Sequence, residues 1–453
     1  MDIREKIESS PMQPIQFGVV AVCVLLNMLD GFDVLALAFS ASHISDEWAL
    51  TGAQLGLLLS AALFGMAIGS MVVSQVADII GRRRTIIICA FVVSAGMALS
   101  AIATGFTFLF VARLVTGLAI GTLQACLNVM VAEYASAKHR STAISFYTAG
   151  QPIGGTIGGI IAGVLLSQYD WRAVFVFGSA ATLAVAVLAL AVLPESLDYL
   201  VSRRPKNALD RTNAILIKLH QPVLDVMPEK SNVPNTARTR WRGILTGPSL
   251  ATTALLGFAF FVLMAGFYFA NSWTPKLLVD SGFTASDGVQ AGVLFSAGGI
   301  VGALIFGPVA MRLGVRRALT ILFALAGIAF VVYALSVDAL ASAFVAAAVL
   351  GLLTSAVMAG MFTIGPMYYE PEVRATAVGL IIGIGRIGAI ISPIVAGRLL
   401  DADWAPGALY YLFAAPLIAG ALAVFAMRTR RPVLAESVVR SSRKATATEE
   451  ILR

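Results

Sequence analysis

The sequence predicts an all-α membrane protein whose twelve transmembrane helices form two pseudo-symmetric six-helix bundles. Three observations predict it. Of the 453 residues, 58% are hydrophobic and 13% charged, about half the charged share of an ordinary soluble domain. The chain carries roughly twelve apolar stretches of about 20 residues, the length that crosses a bilayer as a helix. One long polar segment divides those stretches six and six, and the sequence on its two sides repeats.

The spans are expected to begin near residues 15, 53, 84, 108, 142, 172, 248, 286, 316, 340, 374 and 406. The first, about Ile15 to Ser40, is too long for the core of a cleaved leader and is read as a true span. No segment between spans is long enough to bury a core of its own, which excludes a soluble multidomain enzyme. With the N-terminus placed inside, 27 of the 32 Lys and Arg fall in inner segments, nine of them between Pro194 and Gly247. Outer segments keep Arg172, Lys276 and Arg398, while Arg113 and Arg386 lie within spans. This bias predicts a multi-pass cell-membrane protein with both termini cytoplasmic. It also accounts for the net charge of +7 without a nucleic-acid partner; the surroundings expected are the lipid bilayer.

The expected organisation is a first bundle over 1–193, a cytoplasmic linker loop over 194–247, a second bundle over 248–428 and a cytoplasmic tail over 429–453. "SQVADIIGRRRT" after the second span aligns with "GPVAMRLGVRRA" after the eighth at an offset of 233, placing Gly81 on Gly314, Arg83 on Arg316 and Arg84 on Arg317. A duplicated six-span unit belongs to carriers that rock two bundles around a midplane site. Small residues recur every three to four positions in "GQPIGGTIGGIIAG" of the fifth span, letting helices approach and slide. Pro152, Pro275, Pro366 and Pro393 make bends plausible.

Composition removes other functions. Cys23, Cys89 and Cys126 fall inside spans, offering neither a disulfide framework nor metal-ligand spacing. His43, His139 and His220 are assigned to separate loops without companion ligands, so no metal and no cofactor is expected, protons apart. No nucleophile, base and electrophile come together as an enzyme would need. No P-loop marks an ATP-driven pump.

Charges within the spans then carry the chemistry. Asp30 and Asp33, three residues apart, share one face of the first span about 4.5 Å apart along its axis. A carboxylate in hydrocarbon calls for a partner, a watery cavity or a proton, and two such acids side by side suit a proton carrier. A salt bridge or helix cap is the alternative. Arg386 lies near mid-membrane in the eleventh span with no acid near it in that span, and its planar fork suits a substrate carboxylate. A gate or packing arginine is the alternative. Asn128, Gln151, Tyr268 and Asn271 supply hydrogen-bonding groups in otherwise apolar spans, as ligands or as interhelical links. The run "GFAFFVLMAGFYFANSW" could stack an aromatic ring. Asp78, Arg82, Arg83, Glu133 and Arg140 form a candidate cytoplasmic gate, pairing across span ends in one state and parting in the other.

These residues resemble the major facilitator superfamily. "ADIIGRRRT" matches its acid-glycine-basic loop through Asp78, Gly81, Arg82 and Arg83, with Ser74 where a glycine is usual and Met311 replacing the acid in the second copy. Glu133 with Arg140, "WRAVF", "PESLDYL" and "YYEPEVRATAVG" extend the match along nearly the whole chain. "LDGFDVLALAF" and "GIGRIGAIISP" resemble the aromatic acid:proton symporter family, matching it at Asp30, Gly31, Phe32, Asp33 and Arg386. That family's Pro-Asn of the fourth span falls on Ala125 and Cys126. The resemblance implies that the first and fourth spans face each other, so that Arg113 neutralises an aspartate while the proton is absent, either as a switch or as a permanent buried pair.

The expectation is a monomeric symporter of the bacterial inner membrane that takes up protons with a small organic anion, a hydroxybenzoate-like aromatic acid. Proton-coupled export or antiport, sugar or other metabolite symport, and a ligand-sensing transceptor are the alternatives.

Overall fold

A chain in hydrocarbon must satisfy its backbone polar groups internally, and the long apolar runs do so as helices. The computed structural model describes residues 11–227, 248–369 and 371–427. The helices are α1 (Pro14–Trp48), α2 (Gly52–Met71), the single turn α3 (Ala77–Ile80), α4 (Arg82–Ala101), α5 (Phe106–Tyr134), α6 (Arg140–Gln168) and α7 (Arg172–Val192). Next come α8 (Leu197–Arg203) and α9 (Ala208–Lys218), then α10 (Pro248–Asp280), α11 (Ala285–Leu313), α12 (Val315–Ser336), α13 (Leu340–Met367), α14 (Pro371–Asp401) and α15 (Pro406–Ala426). Apart from α3, α8 and α9, these account for twelve segments long and apolar enough to cross a membrane. All begin within three residues of the expected starts, and no strand occurs among the described residues.

The duplication is written in the backbone. Thr51 and Thr284, 233 apart, each close a capping box, with Gln54 at the start of α2 and with Asp287 at the start of α11. Gly65 and Gly69 of α2 lie against the carbonyls of Leu114 and Leu118 on α5, and Gly298 and Gly302 of α11 lie against those of Ala348 and Leu352 on α13. Gly81 and Gly314 both take positive φ, 102° and 81°, at the tight turns into α4 and α12. A side chain there would be strained in either copy.

Two expectations are corrected. His43 lies inside α1 and not in a loop, because the helix runs past the end of the apolar stretch to Ala49, whose left-handed φ of 48° ends it. Hydropathy falls at Ser40, but nothing between Ser40 and Trp48 breaks a helix. The linker is also not all loop. Ser196 caps α8 by accepting from the Tyr199 amide at 3.1 Å, and the Tyr199 hydroxyl donates to the Ile79 carbonyl at 3.2 Å, so this part is tied to the first half. The rest of the linker over 228–247 and the tail after Met427 lie outside the described residues.

The halves meet chiefly through two related helix pairs, α2 with α14 and α6 with α11, and also where α1 packs on α10 and α11. At the end away from the arginine-rich turns, Gly52 and Gly397 place backbone on backbone, and Gly56 lies on the Pro393 carbonyl. Asp401 of α14 accepts from the first two amides of α2, at 2.6 Å from Gly52 and 2.8 Å from Ala53. The Ser60 hydroxyl donates to the Ile390 carbonyl at 2.8 Å. Gly155 and Gly159 of α6 face Ser296 and Val293 of α11. Continued toward the basic end, the same helix faces are uncovered. Gly379 and Gly383, in line with Ile390 and Gly397 on α14, and Gly307, in line with Ser296 on α11, meet nothing within 4 Å. Thr148, two turns from Gly155 on α6, is exposed. Among the described residues, the bundle is thus closed between halves at one end and open at the basic end.

This seam leaves no room for side chains. Gly397→Val would drive its Cβ into the Gly52 carbonyl, so the closed end is expected to part, read as a longer distance between spin labels at residues 50 and 403. Asp401→Ala, which removes a cap worth about 1 kcal/mol, is expected to lengthen it less.

Candidate functional site

Near the middle of α1 the two aspartates face α5 and are held differently. Both oxygens of Asp33 are taken by Arg113, Nη1 to Oδ1 at 2.8 Å and Nη2 to Oδ2 at 2.6 Å, and Nη2 also reaches the Asp33 carbonyl at 3.1 Å. Both residues are 0% exposed, and the guanidinium lies 5.9 Å from the Phe175 ring centre. Phe32 between the aspartates packs on Phe177 at 5.7 Å, edge to face, filling the first half's core. Gly31 lets the α6 backbone at Gln151 press against α1.

Asp30 pairs with no cationic side chain among the described residues. Its Oδ2 accepts from the Gln124 side-chain amide at 2.5 Å, while its Oδ1 is buried without a partner. The charges of Asp33, Arg386 and Arg113 all act on it. Arg386 on α14 is half-buried and, among the described residues, meets no hydrogen-bond or ion-pair partner. It sits where the packed seam of α14 ends and the open stripe of Gly383 and Gly379 begins. The half-buried Tyr268 of α10 feels both Arg386 and Asp30. Asp30, Arg386 and Tyr268, drawn from both halves, therefore lie within electrostatic reach of one another, with the acid and the base unbonded to each other among the described residues.

The other sequence candidates spread around this centre. Asn128 is exposed one turn beyond Gln124, on the side of α5 opposite the exposed apolar stripe Phe108, Val111 and Val115. It therefore lines the opening between the halves. Gln151 is half-buried and Asn271 is 8% exposed; neither makes a side-chain hydrogen bond among the described residues. Of the aromatic run, Phe269 is consumed by stacking on Phe413 at 4.2 Å and Trp273 by donating to the Pro393 carbonyl at 3.2 Å. Phe267 and Tyr268, edge to face at 5.3 Å, stay half-buried beside the opening. Gln124 escaped the sequence reading, although it lies one helical turn from Asn128.

The five basic-end residues do not gather into one cluster. Arg82 pairs with Glu133 and donates to the Ser196 hydroxyl at 2.9 Å. The Arg83 amide donates to Glu195 at 2.9 Å, and its side chain caps the end of α7 through the Leu193 and Leu190 carbonyls at 2.5 and 2.6 Å. Arg140 donates to the Ala132 carbonyl at 3.1 Å, and Asp78 is exposed, without an ion pair among the described residues. Glu195 and Ser196, within "PESLDYL", are the partners that sequence alone did not assign. All these contacts stay within the first half.

The sealed Asp33–Arg113 pair yields a direct check. Removing one member of a buried pair costs about 3–5 kcal/mol because the other charge is stranded. Arg113→Leu is expected to lower the thermal unfolding midpoint sharply, and adding Asp33→Leu to recover much of the loss.

Against known proteins, the Major Facilitator Superfamily profile matches residues 20–346 and 290–452. The gallate transporter of Pseudomonas putida is 29% identical over 432 residues, covering 94% of this chain and 95% of that protein. The 4-hydroxybenzoate transporter PcaK of Pseudomonas aeruginosa is 28% identical over 408 residues, covering 89% and 90%. A bacterial homologue of the human lysosomal transporter Spinster, solved inward-facing and unoccupied, shares the fold at a TM-score of 0.61 and 19% identity, covering 92% of this chain and 96% of its own. With twelve membrane helices and a profile match along nearly its whole length, the chain belongs to the Major Facilitator Superfamily and is a transporter, not an enzyme.

Proposed function

We propose that the chain is a proton-coupled symporter that takes up an aromatic carboxylate across the cell membrane by alternating access, with its basic end in the cytoplasm. The observation that carries this is the unbonded pair of Arg386 and Asp30 Oδ1 at the head of an opening between the halves. A free guanidinium in an apolar bundle invites an anion, and its fork holds a carboxylate through two parallel hydrogen bonds. Phe267 and Tyr268 offer ring edges and faces beside it. The relatives named for gallate and 4-hydroxybenzoate carriage support an aromatic acid as the cargo.

Asp30 and Asp33 form the coupling pair, with Arg113 as countercharge. An anion moving inward against an inside-negative potential works against about 2.3 kcal/mol per charge per 100 mV, which a co-transported proton offsets. Cargo and proton enter while the far end is open, Gly52 and Gly397 then meet, and both leave toward the basic end. The excess of Lys and Arg in the basic-end turns supports that end as cytoplasmic.

Purified protein in vesicles is expected to accumulate labelled 4-hydroxybenzoate or gallate when the outside is acidified. Exchange without acid-driven accumulation overturns symport, and accumulation driven by acid inside marks an exporter. Arg386→Gln is expected to raise the KM for aromatic carboxylates about ten- to hundredfold, the size of a lost charge-assisted hydrogen bond. A KM unchanged would remove Arg386 from the cargo site.

A further inference from the structure

Protonating Asp33 would require a proton where a guanidinium N–H already sits, leaving Arg113 buried without its full countercharge. Asp30 meets no such conflict. Its Oδ2 is held by the neutral amide of Gln124, and its Oδ1 is empty-handed. A neutral donor serves both forms of a carboxyl group. It bonds the charged carboxylate, and once a proton from water has formed an O–H bond at Oδ1, it bonds Oδ2 as the remaining carbonyl oxygen. Release reverses the step, with the proton returning to water.

Gln124 lies at the junction of three helices linked by hydrogen bonds. The Asn27 amide on α1 donates to the Tyr147 carbonyl on α6 at 2.5 Å. The Tyr147 hydroxyl donates to the backbone carbonyl of Gln124 on α5 at 3.3 Å. Gln124 then returns to α1 at Asp30, one turn beyond Asn27. Three helices thus meet around Gln124, whose side-chain amide has Asp30 as its hydrogen-bond partner among the described residues. The charged and titratable groups facing Asp30 are Asp33 on its own helix, Arg113 on α5, Tyr147 on α6, Tyr268 on α10 and Arg386 on α14. None of them bonds to its carboxylate.

We propose that Gln124 is the positioning residue for the transported proton: by holding Oδ2 of Asp30 it keeps Oδ1 open, so that Asp30 carries the proton while Asp33 and Arg113 remain a standing ion pair. The proposal rests on the symport reading above and divides between the two aspartates a task that reading gave to both.

The test measures acid-driven uptake of labelled 4-hydroxybenzoate against pH in vesicles, with counterflow exchange on the same preparation as the check on folding. Gln124→Met keeps the length and removes the donor. A donor stabilises the charged carboxylate more than the neutral acid, so the uptake midpoint is expected to move to higher pH by about one unit. A wild-type midpoint in a variant competent for counterflow overturns the positioning role. Should Gln124→Met not reach the membrane, Gln124→Glu sets a second acid against Asp30 and is expected to move the midpoint the same way; an unmoved midpoint overturns the role equally. Asp30→Asn is expected to lose acid-driven accumulation, and if it accumulates as wild type does, the proton is not on Asp30. Wild-type protein that exchanges cargo but ignores the pH gradient overturns symport itself, a result distinct from all of these.

Discussion

An ionised side chain among apolar helices costs several kcal/mol unless something answers its charge, and the centre of this transporter is arranged around that cost. Arg113 and Asp33 answer each other completely, with both carboxylate oxygens bonded and no exposed surface on either residue. That pair fixes α1 to α5 and sets the rotation of α1. The same rotation turns Asp30, three residues earlier, toward α14 and α10. The satisfied charge therefore orients the unsatisfied one, and Arg386 completes the contrast from the other half, as a cation without a hydrogen-bond or ion-pair partner among the described residues. A centre with every charge paired would hold two helices together and bind nothing.

The division between fixed and movable parts continues outward. At the basic end, Glu133, Glu195 and Ser196 tie α4, α5 and the start of α8 into the first half, bracing it as a unit. Between the halves the closest contacts are of another kind: glycine backbone on glycine backbone, a carboxylate on two helix amides, one hydroxyl on one carbonyl. Glycines of α6 divide the same way, Gly154 meeting the α1 backbone inside the half while Gly155 and Gly159 meet α11 across it.

Much of this was legible in the sequence because membrane spans leave a strong signal. Twelve apolar runs gave the helices, and the 233-residue offset found in one loop extends to the capping threonines and to the packing glycines of α2 and α11. Asp30, Asp33, Arg113 and Arg386 stood out because a charge in such a run is rare. Gln124 did not, since neutral amides recur in membrane helices and only the packing of α5 on α1 gives this one a partner. Asp401 reads as an ordinary turn residue until α2 is placed beside it. His43 was misplaced because polarity and helix termination are separate properties, and the helix stops only at Ala49.

The bare seam between α2 and α14 bears on how evenly the transporter is balanced. Glycine has no rotamers to freeze on contact or to recover on parting. The groups that do change partners, the Asp401 carboxylate, the first amides of α2 and the Ser60 hydroxyl, are small and polar, and water can stand in for what they lose. Under the proposed alternating access, a seam that gives up so little on parting would let a modest preference of the cargo for one arrangement tip the population.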